Sequence, residues 1–427
     1  MTHRRVFLKQ LAAIAGASGL GRLQAIDLAS TEELARDANS DDAGLASLRD
    51  RYLLSPDIIY LNHGSIGTIP RVVMEARSAY LDLCETNPWL YMWGGAWEEP
   101  REAVRASSAA LLGCQATEVS FTHNTTEGFN TLAGGLALGP GDEVLFSSLS
   151  HAGAAICWHH YAETRGFVVR TFDFPILDIP NMTADDVLNA YDRNITPATR
   201  VLVFPHVDNI VGLRYPVKEL AALAKSKGVE IVAVDGAQTV GMIEVDTGEL
   251  GVDVYCTSSH KWLQAPKGLG LMYVRQDLQD DIRPIWVTWG QDRWRGTARI
   301  FEDYGTRNLA EVLSLGDAIE FQNSLGAEAK ESRYRELWET FRAATEESDR
   351  VTWRSPTTWE MSASLYAIEI GDIASQAAFN HMYEKHGFVF RPFAAQGLNT
   401  VRISPNIYNT DEEIERFFAV AEALPRS

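Results

Sequence analysis

The stretch Ser-Ser-His-Lys at residues 258–261 ends on a lysine that is the most informative residue of this chain. Upstream of it, the apolar run Ile-Val-Ala-Val at residues 231–234 leads into Asp-Gly-Ala-Gln at residues 235–238. Each motif alone is typical of a solvated lysine or a turn. Together they predict a pyridoxal phosphate (PLP) site, because the cofactor aldehyde forms a Schiff base with an amine and its pyridine nitrogen pairs with a carboxylate.

Composition narrows the classes of function. The 427 residues allow two or three domains, and the formal net charge of −19 argues against nucleic acid or an anionic membrane as a partner. The cysteines are too scattered for a disulfide framework or a zinc site and are interpreted as small buried residues; they are Cys84, Cys114, Cys157 and Cys256. We therefore expect no metal site.

The N-terminus has the character of an export signal. Residues 4–9 read Arg-Arg-Val-Phe-Leu-Lys and precede the weakly apolar segment 11–20. This pattern resembles a twin-arginine signal, although His3 stands where serine or threonine is usual. We expect cleavage near Ala25 and folded export to the periplasm by the twin-arginine translocase, with the cofactor loaded beforehand in the cytoplasm. The alternative is a basic amphipathic helix that stays on the protein.

Apolar runs indicate the fold class. Strands are predicted at residues 118–121, 143–147, 201–205, 230–234, 252–256 and 270–274, with helices at 127–138, 156–164 and 218–227. Several of these strands are continuous apolar runs, as expected for strands covered on both faces. The pattern favours an α/β fold with a doubly wound, mainly parallel sheet.

The C-terminal part has a different order of predicted helices and strands. Helices are predicted at residues 309–325, 327–349, 375–386 and 411–423, and strands at 362–370 and 401–404. This mixture is typical of an α+β domain. The predicted organisation is a signal peptide at 1–25, an N-terminal segment at 26–75 that packs with the small domain, a large domain at 76–310, and the small domain at 311–427.

Polar residues follow the predicted strands, where ligands bind in α/β sheets. Asn-Thr-Thr-Glu at residues 124–127 opens a helix and is suited to a phosphate, although a plain helix cap fits the same residues. His151 could stack on a planar ring, and Asn209 could donate to the phenolate oxygen of the cofactor. Ser258 and His260 could donate to a phosphate.

These motifs resemble the class V aminotransferase family over roughly residues 55–425. The resemblance implies an aspartate-aminotransferase-like PLP fold, with a mainly parallel seven-stranded sheet in the large domain and a smaller α+β domain. It also implies a set of cofactor-binding residues. Lys261 would hold PLP and take a catalytic role with His151, which stacks above the ring. The remaining members are Asp235 at the ring nitrogen, Gln238 at the phenolate oxygen, Ala237 under the ring, and Thr125, Thr126, Ser258 and His260 at the phosphate.

Three further segments extend the resemblance. Residues 305–308 include Thr306, which would reach the phosphate of a neighbouring subunit and so implies a homodimer with shared active sites. Residues 60–65 include Asn62, and residues 401–404 include Arg402; both are expected to bind substrate, Arg402 through a carboxylate. The segment 391–398 holds no cysteine, so desulfurase activity is not expected. Asp208 stands beside Asn209 where serine is common.

The isopenicillin N epimerase-like subgroup, combined with a twin-arginine signal, resembles the periplasmic PLP enzymes that tailor pyoverdine siderophores in fluorescent pseudomonads. The expected substrate is a siderophore peptide with a free α-amino acid group, and the expected reaction is oxidative decarboxylation of its glutamyl side chain to a succinamide. Two alternatives stay open. One is a periplasmic aminotransferase, lyase or epimerase that acts on a small amino acid, and the other is a non-catalytic PLP-fold binding protein.

Overall fold

The computed structural model describes residues 48–425. Its strands are β1 (Ile59–Tyr60), β2 (Val119–Thr122), β3 (Glu143–Ser147), β4 (Val168–Phe172), β5 (Thr199–Pro205), β6 (Ile231–Asp235), β7 (Val254–Ser258), β8 (Gly270–Val274), β9 (Val351–Trp353), β10 (Tyr366–Ile370), β11 (Phe388–Val389), β12 (Arg391–Ala395) and β13 (Leu398–Ile403).

Its α-helices are α1 (Arg71–Thr86), α2 (Pro88–Met92), α3 (Glu98–Leu112), α4 (Thr125–Gly135), α5 (Ala152–Arg165), α6 (Ala184–Asp192), α7 (Val217–Ser226), α8 (Thr247–Leu250), α9 (Gly290–Arg293), α10 (Leu309–Leu325), α11 (Ala327–Glu347), α12 (Ser375–His386) and α13 (Asp411–Ala423).

A seven-stranded sheet with the order β2-β8-β7-β6-β5-β3-β4 organises the larger part of the chain. Strand β8 runs antiparallel to both of its neighbours, and the other six strands share one direction. The predicted mainly parallel, seven-stranded α/β sheet is therefore confirmed. Strand β4 was missing from the predicted strands because it is an edge strand whose residues are mostly solvent-accessible, so it carries no continuous apolar run.

Both faces of this sheet are buried, as the apolar runs predicted. Strand β3 shows the arrangement: Val144 and Phe146 pack into one hydrophobic core, whereas Leu145 between them packs into the other. Alternate side chains of a strand point to opposite faces, so each face needs its own cover. The parallel strands consequently end along one shared edge, where their C-terminal loops can form a site.

A second, antiparallel sheet with the order β12-β13-β10-β9 lies in the C-terminal part of the chain. The N-terminal segment forms a separate two-stranded parallel sheet, β1 with β11, and a bridge between Asn62 and Ser404, the residue after β13. The predicted boundary at residues 310 and 311 falls inside helix α10, which packs against α1 and α3. The domain limits given above stay predictions.

The N-terminal segment also packs across the loop that carries the key lysine. The backbone N–H of Gly67 donates to the carbonyl of His260 at 2.8 Å. A Cβ atom at position 67 would lie 1.9 Å from the carbonyl oxygen of Lys261, so only glycine allows this approach. The N-terminal segment thus packs directly against the backbone of the lysine loop.

The export signal at residues 1–25 lies outside the described residues and stays a prediction. Among residues 48–425, no helix combines the length and the apolar character needed to cross a bilayer.

A buried ion pair ties helix α3 and strand β2 to the segment that carries Thr306. Arg105 donates to both oxygens of Glu302, at 2.8 and 2.6 Å, and both side chains are buried. The backbone N–H of Phe121 donates to the same carboxylate at 2.8 Å. A bidentate pair of this kind fixes geometry as well as charge.

Substituting Glu302→Gln should lower the free energy of unfolding by about 3 kcal/mol, because the Arg105 charge loses its main buried partner. Urea denaturation measures the change. Glu98→Gln is the matched control: Glu98 also pairs with arginines but is 43% exposed, so a loss of about 1 kcal/mol or less is expected. Equal losses in the two variants would contradict the central role of the buried pair.

Candidate active site

Lys261 lies in the loop between β7 and β8, three residues after the C-terminal end of β7. Its side chain is half-buried. Loss of solvation lowers the pKa of Lys261 to about 8, while Asp235 raises it and Arg402 and Arg391 lower it further. A substantial fraction of the amine is therefore neutral at slightly alkaline pH, the state in which an amine acts as a nucleophile.

Asp235 is the last residue of β6 and is almost fully buried. Its carboxylate accepts a hydrogen bond from the N–H of Ala237 at 3.0 Å. The turn that follows Asp235 packs closely on the ring of Tyr255, because a Cβ atom at Gly236 would lie 1.9 Å from that ring. The hydroxyl of Tyr255 in turn lies 3.0 Å from Nδ1 of His206. The carboxylate is thus held rigidly at the sheet edge, close enough to act on the charge of Lys261.

The predicted phosphate-binding residues converge at the start of helix α4. The N–H and the hydroxyl of Thr125 lie 3.0 and 2.8 Å from the hydroxyl of Ser258. Thr126 follows in the same exposed turn, and a Cβ atom at Gly153 would lie 2.5 Å from its hydroxyl. The first turns of α4 and α5 therefore meet here. Helix N-termini with hydroxyls are suited to a phosphate.

His260 adjoins this group. Burial lowers the pKa of His260 to about 4, and the charges of Lys261 and Lys267 lower it further. The imidazole is therefore neutral at physiological pH, with one ring N–H available as a donor. The structure thus brings Thr125 and Ser258 into hydrogen-bond contact, and His260 follows Ser258 by two residues in the lysine loop.

His151 caps helix α5. Its Nδ1 accepts a hydrogen bond from the N–H of Gly153 at 3.1 Å, which leaves the ring proton on Nε2. Reduced solvation lowers the pKa of His151, against the opposing charge of Asp235, so the ring is neutral. Its proximity to Asp235 and Lys261 places it at the same edge of the sheet. Stacking on a cofactor ring stays a prediction.

The side chain of Gln238 makes two hydrogen bonds within the protein that its predicted role at the cofactor did not include. Its Nε2 donates to the carbonyl of Gly64 at 2.8 Å, and its Oε1 accepts from the indole of Trp262 at 2.9 Å. One amide hydrogen is left for a phenolate oxygen. Asn209 is half-buried, and within residues 48–425 its side chain makes no hydrogen bond, so its amide can face a ligand.

Arg402 is fully buried on β13 without a carboxylate in contact among the described residues. Its guanidinium donates to the carbonyl of Asn209 at 2.7 Å, to Oδ1 of Asn62 at 3.2 Å and to the hydroxyl of Ser65 at 2.6 Å. Its Nε has no partner in the described part of the chain. Burial lowers the pKa of Arg402 to about 9, and the charge of Arg391 adds to the effect. A buried cation with an unused donor is a receptor for an anion.

Asp208 has a structural role that the sequence did not predict. Its buried carboxylate accepts hydrogen bonds from the N–H groups of Ile210, Val211 and Leu213 at 2.7, 2.9 and 2.5 Å. Burial raises its pKa to about 6. These bonds shape the loop that presents Asn209 to the site.

A buried polar network supports the lysine loop and was not predicted. Gln264 takes a left-handed conformation with φ of 59°, and its N–H donates to the carbonyl of Lys261 at 3.3 Å. Its Oε1 accepts from Tyr52 at 3.0 Å and from Gln322 at 2.9 Å. Lys330 donates to Gln322 at 2.9 Å. This network holds a conformation that glutamine otherwise disfavours.

Thr306 lies apart from this group. It is exposed and lines a cavity of about 210 Å³ together with Trp93, Trp289 and Arg307. No other predicted site residue lines this cavity. Within one chain, Thr306 therefore does not join the phosphate-binding residues, and its contact with a neighbouring subunit stays a prediction.

Comparisons with known proteins show the family and the fold. The family model described as Aminotransferase class-V matches residues 59–417. The isopenicillin N epimerase of Amycolatopsis lactamdurans is 31% identical over 407 residues, covering 89% of this chain and 97% of that protein. A probable cysteine desulfurase of Pyrococcus abyssi is 26% identical and covers 88% and 96%. The solved structure of a C-DES mutant with glycine covalently linked to its PLP cofactor matches with a TM-score of 0.79, at 22% identity, over 90% of this chain and all of that one.

Reactivity of the Lys261 amine should follow its lowered pKa. We expect labelling of Lys261 in the cofactor-free protein by trace acetic anhydride to rise with a midpoint near pH 8, because only the neutral amine reacts. Asp235→Asn should move the midpoint to lower pH, since Asp235 stabilises the ammonium form. Mass spectrometry across a pH series measures both. A midpoint near the ordinary value of 10.5, or an upward shift in the variant, would contradict the desolvated site.

Proposed function

The chain belongs to the class V aminotransferase family, whose members are PLP-dependent enzymes, and we propose that it acts at the α-carbon of an amino acid with free α-amino and α-carboxylate groups. The observation that carries this proposal is Arg402. It is a buried cation with an unused Nε donor beside Asn62, at the edge of the site that holds Lys261. An α-carboxylate has the charge and the planar geometry that such a guanidinium binds.

The residues present fit the cofactor. The amine, the buried carboxylate and the paired helix starts supply the donors and acceptors that PLP requires. The residues that would hold it are Lys261, Asp235, His151, Ala237, Gln238, Asn209, Thr125, Thr126, Ser258 and His260. When bound, PLP supplies an electron-accepting ring that stabilises negative charge at the substrate α-carbon.

The chain supplies proton transfer and orientation. The Lys261 amine, with a pKa of about 8, can take a proton from the α-carbon or return one there near neutral pH. Asp235 provides the negative charge that keeps a proton on a pyridine nitrogen. Arg402 orients the carboxylate and so selects which bond at the α-carbon faces the ring.

For the substrate, the proposal extends to the glutamyl side chain on the pyoverdine chromophore. Conversion of this group to a succinamide removes the α-carboxylate as carbon dioxide and keeps the nitrogen. The α-carbon is oxidised to an amide carbon. One dioxygen molecule balances the step, giving one oxygen to the amide and the other to water. Support comes from the epimerase-like sequence and from the cysteine-free segment 391–398, which argues against desulfurase chemistry.

The epimerase relatives favour one alternative. A chain 31% identical to an isopenicillin N epimerase could instead act on a small amino acid as an epimerase, lyase or aminotransferase. Substrate-dependent oxygen uptake favours the oxidative reaction, whereas turnover that depends on a 2-oxo acid favours the aminotransferase. The family membership leaves no support for a non-catalytic binding protein.

We also propose a homodimer with shared active sites. Trp93 and Trp289 are both more than half exposed and meet edge to face with ring centroids 5.7 Å apart, at the cavity that contains Thr306. Exposed aromatic side chains beside a polar cavity are typical of an interface. A second copy seated there would bring Thr306 towards its phosphate-binding residues.

Deletion of the gene should leave the glutamyl form of pyoverdine in place of the succinamide form. Mass spectrometry of secreted siderophores from the deletion strain measures the outcome. Complementation with the wild-type gene should restore the succinamide, and complementation with Lys261→Ala should not, because the variant lacks the amine. An unchanged side-chain profile in the deletion strain would refute the pyoverdine assignment.

Replacing both signal arginines, Arg4→Lys with Arg5→Lys, should trap the protein in the cytoplasm. Twin-arginine export depends on this pair. Cell fractionation with immunoblotting compares the variant with wild type, and a Lys9→Arg variant, which leaves the pair intact, serves as control. Normal export of the double variant would overturn the predicted periplasmic location.

A further inference from the structure

Two arginines stand opposite each other at the substrate side of the site. Arg391 of β12 and Arg402 of β13 are directly paired in the antiparallel register. Directly opposed residues of antiparallel strands project from the same face of a sheet. Because Arg402 reaches Asn62 and the Asn209 carbonyl, Arg391 emerges on the face that borders the same site.

Arg391 is unpaired within the part of the chain that the structure describes. It is exposed, and within residues 48–425 it makes neither a hydrogen bond nor an ion pair. Its charge nevertheless acts on the site. Burial is the main cause of the lowered pKa values of Arg402, Lys261 and His151, and the charge of Arg391 contributes to each of them. These three groups sit on three different elements, so the charge of Arg391 lies within electrostatic range of all of them.

The nearby carboxylates do not neutralise it. Asp208 is held by three backbone N–H groups, and Asp235 is assigned to the pyridine nitrogen. Like charges directly opposed across two strands are unfavourable. An ordinary surface arginine would point away into water or pair with a neighbouring acid. An unpaired arginine beside a buried cation instead indicates an anionic or strongly accepting group of a ligand.

We propose that Arg391 is a specificity-determining residue that binds the carboxyl oxygens at the far end of a glutamate-like side chain, while Arg402 holds the α-carboxylate. This inference rests on the proposed function, since it takes an amino acid as the substrate. The side-chain oxygens come either from a free carboxylate, as in an acidic amino acid, or from an acyl group that links a glutamyl residue to a larger molecule.

The test measures equilibrium binding to the holoenzyme by isothermal titration calorimetry, without turnover. Three unreactive probes have a five-carbon chain with a carboxylate at one end. The other end is a methyl group in pentanoate, a second carboxylate in glutarate and an amide in glutaramate, the monoamide of glutarate. Wild type should bind at least one of glutarate and glutaramate, which carry an oxygen acceptor at the far end of the chain, about tenfold more tightly than pentanoate, as expected for a hydrogen bond to a charged group. Arg391→Met should reduce this preference to about twofold or less and leave pentanoate binding unchanged. Arg391→Lys should keep part of the preference.

The probes distinguish the two possible sources of the side-chain oxygens. Preference for glutarate identifies a free acidic side chain, and preference for glutaramate identifies an acyl-linked glutamyl group. Arg335→Met, an exposed arginine on α11, is the control and should change none of the three affinities. A preference that survives in Arg391→Met, its absence in wild type, or an equal loss for pentanoate would overturn the inference. The siderophore profile of the deletion strain tests the pyoverdine assignment separately, so the two failures are distinguishable.

Discussion

An excess of positive charge at a poorly solvated sheet edge is the constraint on which the site depends. Arg402 is buried and Lys261 is half-buried, and the exposed Arg391 lies opposite Arg402 in the strand register. Asp208 and Asp235 are the carboxylates that act on these cations. Buried cations without partners are costly, so the folded chain favours anions at this position. A cofactor phosphate and a substrate carboxylate are such anions, and their binding would complete the charge balance.

Much of the fold could be predicted because strands buried on both faces carry a continuous apolar signal. Strands β3 and β8 occupy the predicted residues 143–147 and 270–274. Strand β4 could not be predicted in this way, since an edge strand needs no apolar residues on its exposed positions. Helix α4 begins two residues before its predicted start, because Asn124 rather than a later residue caps it.

Some contacts of the candidate site could be predicted from the sequence, and others could not. Thr125 and Ser258 were expected together because both follow the C-terminal ends of strands, and they are in hydrogen-bond contact. The support of the lysine loop could not be expected, since Gln264 receives its hydrogen bonds from residues 58 and 212 positions away in sequence. Long-range partners of a single glutamine leave no local pattern. The engagement of Gln238 with Trp262 was hidden for the same reason.

The two sheets carry different parts of the proposed site. The proposed cofactor residues lie at the strand ends, loops and helix starts of the seven-stranded sheet, whereas the two arginines proposed to bind substrate belong to the β12–β13 hairpin. The tip of this hairpin touches the large sheet through a hydrogen bond from Gln396 to the carbonyl of Ser148 at 2.8 Å. A change confined to this hairpin would therefore alter the proposed substrate contacts while leaving the residues of the seven-stranded sheet in place.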